Sequence, residues 1–159
     1  MPAYATLQPH YNLIERASFE GALQDLCVRE GIGVIPYFSL AAGFLTGKYR
    51  SEQDLGKSKR GPGLKKYLHL RGHAILAALD AVSARTGATP AQVAIAWLMT
   101  RPAVTAPIAS ATNVAQLDDI MGATRVVLDD EALRELDRAT NPEIGTYPIT
   151  RCFGCNSWK

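Results

Sequence analysis

Residues 31–49, GIGVIPYFSLAAGFLTGKY, constrain this chain more than any other stretch. A short β-branched run, Val34-Ile35, feeds straight into a turn of small residues and then a lysine. Gly31 and Gly33 close whatever precedes the run, and Pro36 limits its length. The order dictated is strand, turn, cationic loop. Apolar runs this short are stable when buried in a sheet, and helical patterns lie on both sides of this one. Strands alternating with helices indicate parallel βαβ units, so the fold class read here is α/β.

The pattern repeats along the chain. Leu7 to Leu13 reads as a strand end followed by a turn, and Ser18 is a candidate N-cap for a helix carrying Phe19, Leu23, Leu26 and Cys27. From Lys48 to Arg71 periodicity disappears, Gly61-Pro62-Gly63 breaks any element, and a single helical turn near Leu64–Leu68 is expected inside a long loop. Ile75, Leu76, Leu79 and Val82 then share a helical face. Thr89-Pro90 starts the next helix, whose stripe is Val93, Ala94, Trp97 and Leu98, and Pro102 stops it. Val104–Ile108 reads as a strand, with its proline marking an end or an unpaired position. Asn113 and Gln116 resemble a capping box opening a helix with Leu117, Ile120 and Met121. A last helix spans Asp130 to about Arg138, with Leu133 and Leu136 facing inward.

Composition narrows the function classes. The 159 residues are 47% hydrophobic and 20% charged, as in an ordinary globular protein. They read as one domain over residues 1–140 and a tail over 141–159. No run reaches the eighteen or so apolar residues that span a bilayer, and the N-terminus has no signal-peptide pattern, so the expectation is a cytoplasmic chain with no membrane partner. The net charge of +2 is uneven, for Lys48–Arg71 holds eight cations against Glu52 and Asp54. Such a loop attracts phosphates, yet few aromatics interleave with the cations, and no nucleic-acid partner is expected. Cys152 and Cys155 form a C-x-x-C without a second ligand pair, so no metal is assigned. None of the three histidines has an evident carboxylate partner in sequence, and no catalytic residue is assigned.

Two further segments, QPHYNLIER at 8–16 and APIASATNVAQL at 106–117, join residues 31–49 in a resemblance to the C-terminal half of the aldo/keto reductases, nicotinamide-dependent (β/α)8 barrels. It covers Tyr4 to Thr140. The resemblance implies a partial, half TIM-type barrel of about three parallel βα units, since a whole barrel needs about 250 residues. It implies a site for NADPH in which Gln8 bonds the carboxamide and Tyr37 stacks on the nicotinamide. Phe38, Ser39, Leu40, Ala41 and Lys48 would cradle the pyrophosphate, with Arg60 a candidate 2′-phosphate partner. Ser110 and Thr112 would hold the adenosine phosphate and ribose, and Gln116 and Asp119 the adenosine end. On composition alone Tyr37 reads sooner as a core aromatic and Leu40-Ala-Ala as a tight packing turn, and an ordinary helix cap explains Asn113 and Gln116 equally well; the resemblance reverses the first reading.

Two departures stand out: Phe38-Ser39 where many members have serine-proline, and Ile120 where they have asparagine. NADPH binding is therefore expected to be weak. The family's proton-transferring tyrosine, lysine, aspartate and histidine belong to the barrel's first half, so the chain alone is expected to be inactive. A half barrel leaves sheet edges open, which points to self-association, most simply as a dimer, or to a complementary half-barrel as partner. The alternative is a non-catalytic, self-associating scaffold with vestigial nucleotide affinity.

Overall fold

The structure, a computed structural model, describes residues 3–141. The Cys152–Cys155 pair and all but the first residue of the expected tail lie outside the described residues. Strands β1 (Thr6–Leu7) and β2 (Gly33–Val34) are parallel, with Thr6 opposite Gly33 and Leu7 opposite Val34. The pairing continues beyond them, because Ile35 N donates to Leu7 O at 2.9 Å and Tyr37 N to Pro9 O at 3.0 Å, ending in a bridge between His10 and Tyr37.

Residues 104–108 do not form the strand expected of them. Val34 N donates to Ala103 O and Thr105 N to Val34 O, both at 2.8 Å, making one parallel bridge at Val104. The next rung of a parallel ladder needs N–H groups at residues 36 and 107, and both are prolines. Ile108 N reaches Pro36 O at 2.9 Å instead, which keeps the third segment alongside without a regular ladder.

Alternation separates the two faces. Val34 and Pro36 are buried toward the helices, whereas Gly33, Ile35 and Tyr37 lie partly or wholly exposed on the other face. The cross-strand register puts Gln8 and His10 on that same face.

Helix α1 (Ala22–Glu30) starts later than the sequence suggested. Its N-cap is Gly21, and Ser18 Oγ donates to His10 O at 3.3 Å rather than capping anything. Residues 16–20 close a turn, with Phe19 N and Glu20 N donating to Arg16 O, and that turn plants Phe19 against Tyr11 at 4.8 Å between ring centroids. An apolar residue at helical spacing was serving a turn.

The segment 48–71 is also more ordered than a loop. It holds two 3-10 helices, Glu52–Lys57 and Gly61–Tyr67, the second burying Leu64 and Tyr67. Two glycines make this packing possible, since a Cβ on Gly61 would collide with Leu55 O and one on Gly72 with Tyr67 O. Four of its eight cations are held by ion pairs or hydrogen bonds, Arg50 with Asp80, Lys57 with Asp54, Lys65 with Glu52, and Arg71 with the carbonyls of Ile14 and Thr140, and Lys48 and Lys66 lie over the rings of Tyr49 and Tyr67.

Helices α2 (Leu70–Thr86), α3 (Pro90–Met99) and α5 (Asp130–Thr140) form the layer behind the strands. Seven of the ten residues of α3 are buried, the largest buried share of any of these helices. A true capping box, Thr89 with Gln92, starts it. The guanidinium groups of Arg16 and Arg101 both lie over the Trp97 ring of α3, 5.1 and 4.6 Å from its centroid. Trp97 Nε1 donates to Asp137, which also pairs with both arginines. This cluster fastens residues 11–20 to α3 and α5. Helix α4 (Val114–Gly122) packs on α3, completing the order of helices.

Candidate functional site

Parallel strands direct their carboxyl ends to one rim, where unpaired backbone and loops gather. Here that rim carries His10, Tyr37 and Phe38. The His10 and Tyr37 rings stack at 5.2 Å and 26°, and Phe38 meets them at 5.3 and 5.5 Å. Tyr37 is 39% exposed and Phe38 50%, so the cluster offers aromatic surface to solvent instead of burying it.

Beyond the rings the chain turns tightly. Phe38, Ala41 and Ala42 take φ of 59°, 47° and 55°, and Gly43 follows at 98°. Left-handed backbone at a non-glycine residue costs roughly 1–2 kcal/mol, and three such residues within five make this the most strained described segment. The surroundings hold it. Ala41 N donates to Phe38 O at 2.7 Å and Gly43 N to Leu40 O at 2.8 Å. Ser39, 1% exposed, donates its hydroxyl to Ile108 O at 2.7 Å. Asn12, fully buried, donates Nδ2 to Phe38 O at 3.0 Å while its Oδ1 accepts from Ile14 N and Glu15 N. The sequence reading passed over Asn12. A buried asparagine just past a strand end is an Asx-turn signal, but its second bond, to a carbonyl 26 residues away, has no local trace.

Lys48 stands beside this turn. Its Nζ lies 5.1 Å from the centroid of the Tyr49 ring, and a Cβ at Gly43 would come into ordinary contact with its side chain. It belongs to no ion pair among the described residues. Short side chains at 41–43 and an uncompensated ammonium make a place for an anion.

The remaining candidates sit on other segments. Ser110 and Thr112 are exposed ahead of α4, whose N-cap is Asn113. Only half of the expected capping box is present, because Gln116 N donates to Asn113 Oδ1 while Gln116 Oε1 accepts from Thr112 N and Oγ1, both at 3.0 Å. Asp119 Oδ1 accepts from Thr89 Oγ1 at 2.8 Å, linking α4 to the start of α3. Arg60 is exposed at the start of the second 3-10 helix. Gln8 is exposed on the strand face that carries His10 and Tyr37. A separate groove of about 540 Å³, lined by Arg85, Gln92, Arg125 and Asp129 among others, shares none of these residues.

The model of the aldo/keto reductase family matches residues 2–141. The chain belongs to that family. Among its relatives, the uncharacterized oxidoreductase YrpG of Bacillus subtilis is 35% identical over 136 residues, covering 83% of this chain and 39% of its own length. The probable voltage-gated potassium channel subunit beta of Arabidopsis thaliana is 32% identical, covering 76% of this chain and 38% of its own. A Schizosaccharomyces pombe relative at 27% identity, covering 81% and 40%, is named an aldo-keto reductase with NADP(+). The crystal structure of a thermostable aldo-keto reductase with the inhibitor epalrestat superposes with a TM-score of 0.62 at 23% identity, over 84% of this chain and 39% of that one. At that identity the likeness is one of fold. The chain thus spans about 40% of the length of the curated relatives it matches.

Proposed function

We propose that the chain holds NADPH, in preference to NADH, at the carboxyl rim of its parallel strands, as the nucleotide-binding part of an aldo/keto reductase. The observation that carries this reading is the strained turn 38–43, set between an exposed aromatic and the unpaired ammonium of Lys48. On this reading the three parallel segments and their helices are the last three βα units of an eightfold barrel.

The residues present fit the group in its chemistry. Tyr37 offers a flat face, Gln8 an amide for the carboxamide, and Lys48 a cation for the pyrophosphate beside a backbone free of bulky side chains. Arg60, Ser110 and Thr112 are exposed and polar, suited to the 2′-phosphate end. Gln116 and Asp119 face the adenosine end with bonds already made to Thr112 and Thr89, so they bind only by sharing or exchanging those partners. With Ile120 supplying no amide, the affinity is lower than in a member that has one. When bound, the nicotinamide supplies a hydride.

Carbonyl reduction also needs a proton donor whose pKa is tuned to working pH. Tyr11 is unsuited, because burial and its hydrogen bond to Glu20 push the phenol far above its ordinary range. The Tyr49 hydroxyl is bonded to Ser58, and Tyr4 is 88% exposed. We therefore expect the 159-residue chain to bind nucleotide without turning over carbonyl compounds. Calorimetry with NADPH and NADH, beside NADPH consumption with 4-nitrobenzaldehyde, tests both halves. Binding of NADPH with no consumption supports the reading. No heat at millimolar NADPH favours the scaffold alternative, and turnover near one per second contradicts the assignment of roles.

A further inference from the structure

His10 has no task in the reading above, yet it touches the centre of the platform. Its ring stacks on Tyr37 with the two planes 26° apart and lies at 56° to Phe38. Its Nε2 is covered and has no hydrogen-bond partner. A buried nitrogen left unbonded is unfavourable, and a phenylalanine ring would not incur that penalty. Polar bonding through Nε2 is therefore not what keeps the ring there; stacking is.

Tyr37 depends on that contact. No hydrogen bond anchors its hydroxyl among the described residues, and Phe38 meets it edge-on at 70°. His10 is the neighbour that stacks on it, at 5.2 Å between ring centroids and 26° between planes. With one face of Tyr37 backed by the imidazole, exposed ring surface remains for a ligand. A planar ligand stacks well only on a ring whose plane is held.

We propose that His10 is a positioning residue: by backing Tyr37 it sets the plane of the ring on which the nicotinamide lies, and it acts through stacking rather than through its nitrogens. This rests on the reading of Tyr37 as the nicotinamide platform. Position 10 then requires an aromatic ring of any polarity.

Two probes separate this role from a general structural one: NADPH, and 2′-phospho-ADP-ribose, which keeps the phosphates and adenosine but lacks the nicotinamide. Calorimetry on the 159-residue chain is expected to show His10→Ala weakening NADPH about three- to tenfold. Binding of 2′-phospho-ADP-ribose stays unchanged. His10→Phe restores NADPH affinity and His10→Gln does not. Equal loss of both probes in His10→Ala overturns the proposal while leaving the nucleotide reading intact, as does rescue by Gln with failure of Phe. If the unmodified chain binds neither probe, the nucleotide reading fails and this proposal with it.

Discussion

Lys48 and Asn12 show how differently two residues of one site can be read. The role proposed for Lys48 follows from charge alone: a lysine after a small-residue turn, with no ion pair among the described residues, attracts phosphate. Lys48→Ala should weaken NADPH binding about tenfold, the scale of one charge-assisted contact, with thermal stability unchanged. Calorimetry beside a melting curve checks this, and equal affinity for both proteins counts against the pyrophosphate assignment. Asn12 matters through three hydrogen bonds, one of them to Phe38 O across 26 residues. Asn12→Ala removes all three from a fully buried position and should cost about 2–3 kcal/mol in urea unfolding. A change below half a kcal/mol would mean that the strained turn is held by other contacts. Sequence shows the type of a residue and its near neighbours; it does not show which distant carbonyl the chain will bring to it.

Among the elements, helices announced themselves where apolar spacing was sustained, as in α2 and α3, and misled where it was brief. Phe19 fits the helical stripe of Leu23 and Leu26 yet packs from a turn, because three apolar residues at the right spacing do not distinguish the two. The failed third strand was legible in part, since Pro107 was visible, but that Pro36 faces the same missing rung depends on register. The basic segment 48–71 looked featureless because 3-10 helices have no apolar period of 3.6. Its packing yields a prediction at Gly72, which lies in the first turn of α2. Alanine there gains about 1 kcal/mol of helix propensity, but the new Cβ meets the backbone carbonyl of Tyr67, which cannot swing aside as a side chain would. Overpacking of about 1–3 kcal/mol outweighs the gain, so Gly72→Ala should be destabilising in urea unfolding; a more stable variant would show that the close approach relaxes freely.

At the scale of the whole molecule, Tyr11 links the strand end to the cluster around Trp97 and Asp137. Its phenol is held in the neutral form, so the folded state keeps a proton that the unfolded chain releases near pH 10. This contribution is complete below that pH and declines as pH rises through it. Urea midpoints measured from pH 8 to 11 should fall at the alkaline end, and less steeply in Tyr11→Phe; parallel curves would mean that the phenol titrates as if exposed.

The open strand face and the exposed row Val114, Leu117 and Met121 on α4, at 72, 50 and 54%, favour association of the 159-residue chain. Sedimentation equilibrium at micromolar concentration should give more than the monomer mass, and a monodisperse monomer would refute this. Family membership was legible from three short segments because each carries backbone-shaping residues at a strand end. The strand register that brings His10 against Tyr37 became visible only in the fold.

A nicotinamide nucleotide bound at the carboxyl rim of these strands would perturb the backbone amides that line it, and their response reports such binding residue by residue. An NADPH titration followed by backbone amide shifts in a nitrogen-15-labelled chain tests it most directly. Saturable shifts are expected at residues 8–12, 37–48, 60 and 110–119. Shifts centred on the groove of Arg85, Arg125 and Asp129, or none at millimolar NADPH, would contradict it.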